Sequence, residues 1–227
     1  MGTVAHHAVM YLNPLMVGLP PAERAALVEC SRPRSYKRNE VLLTAGESTD
    51  QIYCVASGLL RVVAPGHAGG TEMTTELIGR NDFFFDLSIR EDSYRTKQTL
   101  IAALPSSVFL VPIAKMRGLC VRRPEVALGL LGLTMKRMNV LRDQFRRISV
   151  LPAEDLVLRV LHELTRLAPI GSGGYDKRIT QSVIASYSGL SREMVNKIMR
   201  AMENRGLVHR DEDGVHVTND FVATDFA

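Results

Sequence analysis

The sequence predicts an α+β fold in which an N-terminal antiparallel β-roll, of the jelly-roll kind, is joined by one long helix to a smaller C-terminal domain. Residues 36–111 hold short runs rich in β-branched and aromatic side chains, separated by turn residues, as in antiparallel barrels and jelly rolls. Residues 124–148 keep a helical repeat, and residues 180–208 contain two short helical patterns around a glycine. The predicted segments are 1–120, 121–150 and 151–227.

The composition is that of a globular protein with a basic second half. The chain has 227 residues, of which 46% are hydrophobic, and its net charge is +4. This length allows two ordinary domains, and the charge permits a polyanionic partner. Most of the basic side chains that a nucleic-acid surface would need lie in the second half. They are Lys136, Arg137, Arg142, Arg146, Arg147, Lys177, Arg178, Arg192, Lys197, Arg200, Arg205 and Arg210.

Three scattered cysteines, Cys30, Cys54 and Cys120, show no metal-ligand spacing and do not make an even set. This usage is typical of a reduced, cytoplasmic protein, and it assigns no role to any of the three thiols. The N-terminus has no cationic segment followed by an apolar run, and no stretch has membrane-spanning length. We therefore expect neither a signal peptide nor a membrane anchor.

The N-terminal half begins with a predicted short helix over residues 15–30, opened by Pro20 and Pro21. Short strands follow, and glycine, serine and proline turns separate them. The predicted strands are residues 41–43, 52–55, 59–63, 74–78, 99–103 and 108–111.

The long helix over residues 124–148 is apolar on two sides. One side follows the alternating three and four spacing of a heptad seam: Ala127, Leu131, Thr134, Met138, Leu141, Phe145 and Ile148. The second side carries Val126, Leu130, Leu133 and Val140. A helix with two apolar sides must bury both, either between two copies of the chain or within the core of a monomer. Pro152 then marks a hinge.

Two short helices and a tight turn are predicted in the C-terminal domain, after a first helix over 154–167 and a flexible loop over 168–177. Thr180 can cap the first of the two, and Ser188-Gly189-Leu190 provides the turn. Ser191 can cap the second, which carries Val195, Ile198, Met199 and Met202 toward the core. Residues 207–217 read as a β-hairpin around Asp211-Glu212-Asp213-Gly214.

The outward face of the second helix is polar and largely cationic. It carries Arg192, Glu193, Asn196, Lys197 and Arg200. In a helix-turn-helix, side chains at this position reach base edges in the major groove, and we expect Ser191, Thr180 and Gln181 to join the contact. The alternative is an ordinary solvated face, with Glu193 and Lys197 as an i,i+4 pair.

The N-terminal runs also resemble a known family. The residues that carry the resemblance are Glu40-Val41-Leu42-Leu43, Gly46-Glu47, Asp50, Ile52-Tyr53, Val55 and Ser57-Gly58. They are similar to the cyclic-nucleotide-binding β-roll of the cyclic-AMP receptor protein and fumarate-nitrate regulator family. With the C-terminal winged helix-turn-helix, the resemblance covers nearly the whole chain in the family's order.

The resemblance implies a homodimeric, DNA-binding transcription regulator without catalytic activity. The long helix would pair with its mate along a two-fold axis, and the β-roll would sense an effector. In relatives a loop in the region of residues 168–177 touches RNA polymerase, which makes RNA polymerase a candidate partner. In relatives of the cyclic-AMP receptor type an Arg-Glu pair, matched by Arg192 and Glu193, reads guanine and cytosine. Their third reader is arginine, where this chain has Lys197, so we expect palindromic TGTGA-like half-sites with one relaxed position.

The effector pocket departs from the family. Cyclic-nucleotide-binding members use a Gly-Glu-Leu run and a later Arg-Ser pair to hold the phosphate and ribose. The matching residues here are Phe85-Asp86-Leu87 and Arg95-Thr96. Relatives present Thr-Ser to the adenine where this chain has Leu141-Arg142. These departures disfavour cyclic AMP, and they leave Arg95 either as an anion contact or as part of a surface salt bridge.

Other effectors stay open. An iron–sulfur cluster of the fumarate-nitrate regulator kind needs four cysteines near the N-terminus, so we expect none. A haem would need an axial ligand, for which His67, Cys54 or the His6-His7 pair are candidates that serve equally as ordinary loop or core residues. Residues 83–85, all phenylalanine, could line an apolar pocket or plug it.

A metal-dependent cupin enzyme is the competing function class for a jelly roll. Such enzymes bind their metal through clustered histidines and a carboxylate. His67 is the single histidine within the predicted β region. The sequence therefore disfavours this class.

Overall fold

The computed structural model describes residues 14–16, 18–64, 72–85, 91–171 and 173–218. The chain divides into two compact units, residues 1–65 with 75–143 and residues 66–74 with 144–227. Among the described residues, no helix combines the length and the apolar character that crossing a bilayer would require.

Short turns separate the helices and strands in the described residues. After a 3-10 turn at Pro14–Met16, the helices are α1 (Pro21–Cys30), α2 (Ile113–Arg122), α3 (Pro124–Val150), α4 (Ala153–Leu167), α5 (Gln181–Ser188) and α6 (Arg192–Asn204). The strands between α1 and α2 are β1 (Arg32–Tyr36), β2 (Val41–Leu43), β3 (Ser48–Thr49), β4 (Gln51–Ser57), β5 (Leu60–Ala64), β6 (Met73–Ile78), β7 (Phe83–Phe84), β8 (Tyr94–Arg95), β9 (Thr99–Ala102) and β10 (Ser106–Pro112). The later strands are β11 (Pro169–Ile170), β12 (Gly174–Asp176), β13 (Val208–Arg210) and β14 (Gly214–Val217).

Two four-stranded sheets form the β-roll of the first unit. One has the order β1-β10-β4-β7 and the other β2-β9-β5-β6, while β3 and β8 form a separate pair. The strands pair antiparallel, with Phe109 opposite Cys54 in the first sheet and Leu100 opposite Val62 in the second. The predicted α+β fold with an antiparallel β-roll is confirmed.

Strand β4 shows how the β-roll divides its core. Tyr53 and Val55 point into the interior cluster with Leu60, Val62 and Leu100. Because side chains alternate along a strand, Ile52, Cys54 and Ala56 point to the other face, where they pack with residues of α1, α2 and α3. Full burial of each large apolar side chain contributes about 1.5 to 3 kcal/mol, so both faces of this sheet stabilise the unit.

The N-terminal part of α3 belongs to this outer core. Val126 and Leu130 are buried there, and Leu133 packs against them at the edge. Their spacing of three and four residues places them on one side of the helix. This side corresponds to the second apolar side predicted from the sequence, except that Val140 is 37% exposed.

The second unit contains the three C-terminal helices and a four-stranded sheet of order β11-β12-β14-β13. Its core includes Leu161 and Leu164 of α4, Tyr175 of β12, and Val195 and Met202 of α6. Tyr187 at the end of α5 is tied to α4 by a 3.1 Å hydrogen bond from its hydroxyl to Glu163 Oε2. The predicted winged helix-turn-helix is therefore present.

Several local predictions were wrong. The loop over 168–177 contains β11 and β12, and Tyr175 and Asp176 are buried. Its glycines allow close packing, since a Cβ on Gly174 would lie 2.7 Å from the Ile170 carbonyl. The predicted helix over 15–30 is a 3-10 turn followed by α1, and α2 was missed altogether.

Candidate nucleic-acid interface and effector site

The turn between α5 and α6 depends on Gly189. This residue has φ +74, and its N–H donates to the Ala185 carbonyl at the end of α5. A left-handed backbone costs glycine little, because glycine has no Cβ. The turn therefore ends α5 at Ser188 and lets α6 begin at Arg192.

The first turn of α6 is capped as predicted. Ser191 Oγ accepts a hydrogen bond from the Met194 N–H at 3.1 Å, which satisfies one of the unpaired donors of the helix start and stabilises it by about 1 kcal/mol. Thr180 occupies the N-cap position of α5, but its side chain makes no capping hydrogen bond. Thr180 therefore lies at the predicted N-cap position, but the predicted capping hydrogen bond is not formed.

Helix α6 is strongly amphipathic. Its inward stripe of Val195, Ile198, Met199 and Met202 is buried, at the spacing of one helical face. The side chains outside this stripe in the first three turns are mostly exposed: Arg192, Glu193, Met194, Lys197 and Arg200. The chain therefore presents two arginines, a lysine, a carboxylate and a thioether on the surface of this helix.

Asn196 and Gln181 lie together at the edge of this surface. Both are half-buried, and Gln181 Nε2 donates to Asn196 Oδ1 at 3.3 Å. The bond joins the start of α5 to the second turn of α6. It holds the Asn196 amide in a defined orientation and leaves the amide nitrogen available as a donor.

The predicted hairpin after α6 is formed by β13 and β14, paired antiparallel with His209 opposite His216. Asp211 closes its turn by accepting from the N–H groups of Gly214 and Asp213, each at 2.8 Å. These two hydrogen bonds lower the pKa of the Asp211 carboxyl below its usual range, with a smaller contribution from His216. The wing is therefore fixed by an ionised side chain.

Near Phe85, one of the predicted effector residues, the first unit contains a group of charged side chains around Arg137. Arg137 of α3 lies with its Nε 3.0 Å from Glu76 Oε1, and its Nη2 donates to Asp82 Oδ1 at 2.9 Å. Its guanidinium carbon also lies 5.9 Å from the centroid of the Phe85 ring, within cation–π range. We call Glu76, Asp82, Phe85 and Arg137 the Arg137 cluster.

The Arg137 cluster is largely shielded from water. The side chains of Arg137 and Glu76 are 17% and 22% exposed. Burial raises the pKa of the Glu76 carboxyl, Arg137 opposes that rise, and the Asp82 carboxylate adds to it. One cation therefore faces two carboxylates, in surroundings where an additional negative charge is unfavourable.

The three phenylalanines do not share one environment. Phe83 is buried in the outer core, Phe84 is buried in the interior core, and Phe85 is partly buried against the outer core. Phe84 meets Tyr53 edge-on at a centroid distance of 6.2 Å. Because successive residues of a strand face opposite ways, Phe83 and Phe85 pack on one cluster and Phe84 on the other, so the three rings do not line or plug one pocket together.

The other predicted effector residues that the structure describes form hydrogen bonds outside the Arg137 cluster or are exposed. Arg95 is exposed and its Nη1 donates to the Gly46 carbonyl at 2.8 Å. Thr96 is buried, and its hydroxyl bonds with the backbone of Gln98. Leu141 and Arg142 are exposed on α3. Asp86 and Leu87 lie outside the described residues.

The outward face of α3 is apolar and exposed. Its large side chains are between 38% and 77% exposed. They are Leu128, Leu131, Met135, Met138, Leu141 and Phe145; we call them the α3 stripe. The predicted seam residue Thr134 is half-buried, and its hydroxyl donates to the Leu130 carbonyl at 2.9 Å. The side chain of Ile148 lies outside the described residues.

The free thiols do not form a metal site. Within the described parts of the chain, no group of three or more histidine, cysteine and acidic side chains could hold a metal ion. Burial raises the pKa of Cys54 to about 12, and it also raises those of Cys30 and Cys120. Cys54 is therefore a protonated core residue. The other haem-ligand candidates, His67 and the His6-His7 pair, lie outside the described residues.

Several candidate functional residues were missed by the sequence analysis. They are Glu76, Arg137, Met194, Leu128 and Met135. Arg137 had been counted only as one of many basic side chains, and a half-buried position for it could have been found from its place beside Leu130 and Leu133 in the helical repeat. Glu76 is the fourth residue of the short strand β6, and no local spacing in the sequence indicates that it is largely buried.

Two domain families match this chain. Residues 33–123 match the cyclic nucleotide-binding domain, and residues 157–219 match the Crp-like helix-turn-helix domain. The cyclic AMP receptor protein of Thermus thermophilus is 27% identical over 205 residues, covering 90% of this chain and 92% of that protein. A CRP-like cAMP-activated global transcriptional regulator of Mycobacterium tuberculosis is also 27% identical, covering 89% and 91%.

Solved structures share the fold. FixK2 from Bradyrhizobium japonicum superimposes with a TM-score of 0.74 at 18% identity, covering 83% of this chain and 93% of that one. The c-di-GMP responsive global regulator CLP from Xanthomonas campestris gives a TM-score of 0.69 at 18% identity, covering 88% and 100%.

Proposed function

We propose a mode of action for this chain, which belongs to the cyclic-AMP receptor protein and fumarate-nitrate regulator family of bacterial DNA-binding transcription regulators. Members of this family are regulators and not enzymes. In our proposal the protein acts in the cytoplasm as a homodimer, reads a palindromic DNA site with α6, and uses its β-roll to sense an effector other than cyclic AMP.

The α3 stripe is the observation that carries the homodimer. Six large apolar side chains, each at least 38% exposed, follow one face of a 27-residue helix. Contiguous apolar surface of this kind marks an interaction site. The occupant we propose is a second copy of α3, because a two-fold axis along the helix buries the same stripe on both chains at once.

The first turn of α6 supports the mode of DNA reading. Arg192 and Glu193 are exposed directly after a hydrogen-bonded N-cap, where a recognition helix approaches base edges. Arginine pairs with guanine through two donors, and glutamate accepts from the cytosine amine. Lys197 reaches guanine with a single ammonium group and lacks the planar fork of arginine. We therefore propose TGTGA-like half-sites about one helical turn apart, with softer discrimination opposite Lys197.

The charges of the β-roll support an effector other than cyclic AMP. A cyclic phosphate needs a cation and close backbone approach. Arg137 already forms ion pairs with Glu76 and Asp82, and Arg95 donates a hydrogen bond to the Gly46 carbonyl. Phe85 stands at the position of the family's glycine. A phosphate placed beside Arg137 would meet two carboxylates that hold the same guanidinium. The Mycobacterium tuberculosis relative is a cAMP-activated regulator and CLP is a c-di-GMP responsive one. Our proposal separates the present chain from the cAMP-activated regulators.

Light scattering coupled to size-exclusion chromatography tests the homodimer. The wild type should elute with twice the mass of one chain at micromolar concentration. Leu141→Asp should give monomers, because a carboxylate would be buried at the seam, and these monomers should bind a palindromic duplex far more weakly. Lys136→Asp places the same carboxylate on an exposed position of α3 outside the stripe, and it should remain dimeric. A monomeric wild type would refute the proposal.

A further inference from the structure

Met194 is an apolar side chain in a polar setting. It lies in the first turn of α6 between Glu193 and the buried Val195, and its side chain is 43% exposed. The other large apolar residues of α6, namely Ile198, Met199 and Met202, are at most 8% exposed. Met194 is thus exposed, whereas the apolar residues that pack α6 against its domain are buried.

The position of Met194 is fixed by the helix start. Its N–H donates to the Ser191 side chain at 3.1 Å, so the backbone of this turn is held while the side chain extends from it. Arg192, Glu193 and Met194 are three consecutive exposed residues. The N-terminal turn of a recognition helix is the part that enters the major groove. Arg192, Glu193 and Met194 therefore all lie on the turn of α6 that enters the groove when the helix binds DNA.

A thioether in this place has one suitable partner on the major-groove edges of the bases. Guanine, cytosine and adenine present hydrogen-bond donors and acceptors there, whereas thymine also presents its C5-methyl group. Methionine makes no strong hydrogen bond, and its flexible, polarisable side chain packs well on irregular apolar surface. We propose that Met194 contacts a thymine methyl in each half-site and makes that thymine a preferred base.

This inference rests on the proposed reading of DNA by α6 and adds one determinant to it. Arg192, Glu193 and Lys197 discriminate through hydrogen bonds and charge. Met194 adds an apolar contact, which discriminates thymine from cytosine and also from uracil. The latter comparison isolates the methyl group, because deoxyuridine pairs with adenine as thymidine does and lacks only that methyl.

The experiment uses the palindromic duplex selected from a random pool by the full-length wild type. Each thymine of one half-site is replaced in turn by deoxyuridine, and dissociation constants are measured by fluorescence anisotropy for the wild type, Met194→Ala and Met194→Leu. At one position the wild type should bind the uracil duplex about fourfold more weakly, which corresponds to about 0.8 kcal/mol for one buried methyl group. Met194→Ala should bind both duplexes equally, and Met194→Leu should keep most of the difference.

Other outcomes separate this inference from the proposal beneath it. If the wild type selects a palindrome but uracil scanning gives the same ratios for the wild type and Met194→Ala, the methyl contact is refuted and the reading by α6 stands. If the wild type shows no preference among DNA sequences, both fall together. Thermal unfolding controls for folding: Met194→Ala should unfold at the wild-type temperature, because the exposed side chain contributes little to the core.

Discussion

The outward face of α6 and the Arg137 cluster both contain arginines beside carboxylates, and they differ in what those charges do. On α6, Arg192 and Glu193 are exposed in the first turn of a capped helix. In the Arg137 cluster, the guanidinium and Glu76 are mostly shielded and bonded to one another. The first arrangement is open to a charged partner, whereas the second already pairs its one guanidinium with two carboxylates.

Two parts of one family fold can therefore differ in how closely their side chains follow the family's pattern. Helix α6 carries the Arg-Glu pair that the resemblance to the family implies, with Lys197 in place of the third reader. The β-roll keeps the family's strands, yet the groups that would meet a nucleotide are replaced or engaged by the chain itself. Fold similarity to cyclic-nucleotide-binding proteins does not by itself imply nucleotide binding, and in the proposed function the two are separate.

The largest effect is expected for a substitution on the outward face of α6. Arg192→Ala should weaken binding to the selected palindrome by about 5- to 150-fold, or ~1 to 3 kcal/mol, and should affect random DNA much less. Arg200→Ala is the matched control, since a phosphate contact should weaken both alike. Anisotropy titrations on both duplexes measure the two ratios. Equal losses on both duplexes for Arg192→Ala would remove it from base reading.

The Arg137 cluster should show its strength in folding stability. Arg137→Ala leaves Glu76 and Asp82 without their shared cation, and it should lower the free energy of unfolding by about 1 to 2 kcal/mol, less than for a fully buried pair because both carboxylates retain some solvent contact. Arg95→Ala, which removes an exposed arginine, should change it by less than about 0.5 kcal/mol. Urea denaturation measures both. Similar values for the two variants would show that the cluster is an ordinary surface ion pair.

A smaller effect should appear in the pH dependence of stability. Burial raises the pKa of Glu76 above its ordinary value of 4.5, so the folded state binds that proton more tightly than the unfolded state. The stability contributed in this way is present below the ordinary pKa and is lost as pH rises through the raised pKa. Relative to Glu76→Gln, the wild type should therefore lose unfolding free energy as the pH rises above 4.5 and through the raised pKa of Glu76. A difference that grows over this interval would contradict the assignment.

Much of the fold was predictable because its signals are local. The heptad repeat predicted α3, the β-branched and aromatic run at residues 52–55 predicted β4, and Ser191 with Gly189 predicted the turn and cap of α6. Strand β1 was missed because Arg32–Tyr36 carries one buried side chain among four exposed ones. Helix α2 was missed because Gly118 and its charged residues obscure the short apolar pattern.

The candidate sites were predictable to different degrees, because one depends on local spacing and the other on contacts between distant residues. The exposed residues of α6 follow from helical spacing within one short stretch. The Arg137 cluster joins residues 76, 82, 85 and 137, and its pairing depends on how α3 packs on the β-roll. A single sequence carries no signal for such a distant contact. For the same reason the sequence predicted Thr134 as a seam residue, whereas the structure places Met135 in the α3 stripe.

The most direct test of the account is a titration of the wild-type protein against its selected palindromic duplex, with and without millimolar cyclic AMP, followed by fluorescence anisotropy. The account predicts tight, sequence-specific binding in both titrations with the same dissociation constant, because α6 is built to read DNA and the β-roll holds its arginines in contacts of its own. Tightening of about tenfold or more by cyclic AMP, equivalent to 1.4 kcal/mol of coupling, would contradict it.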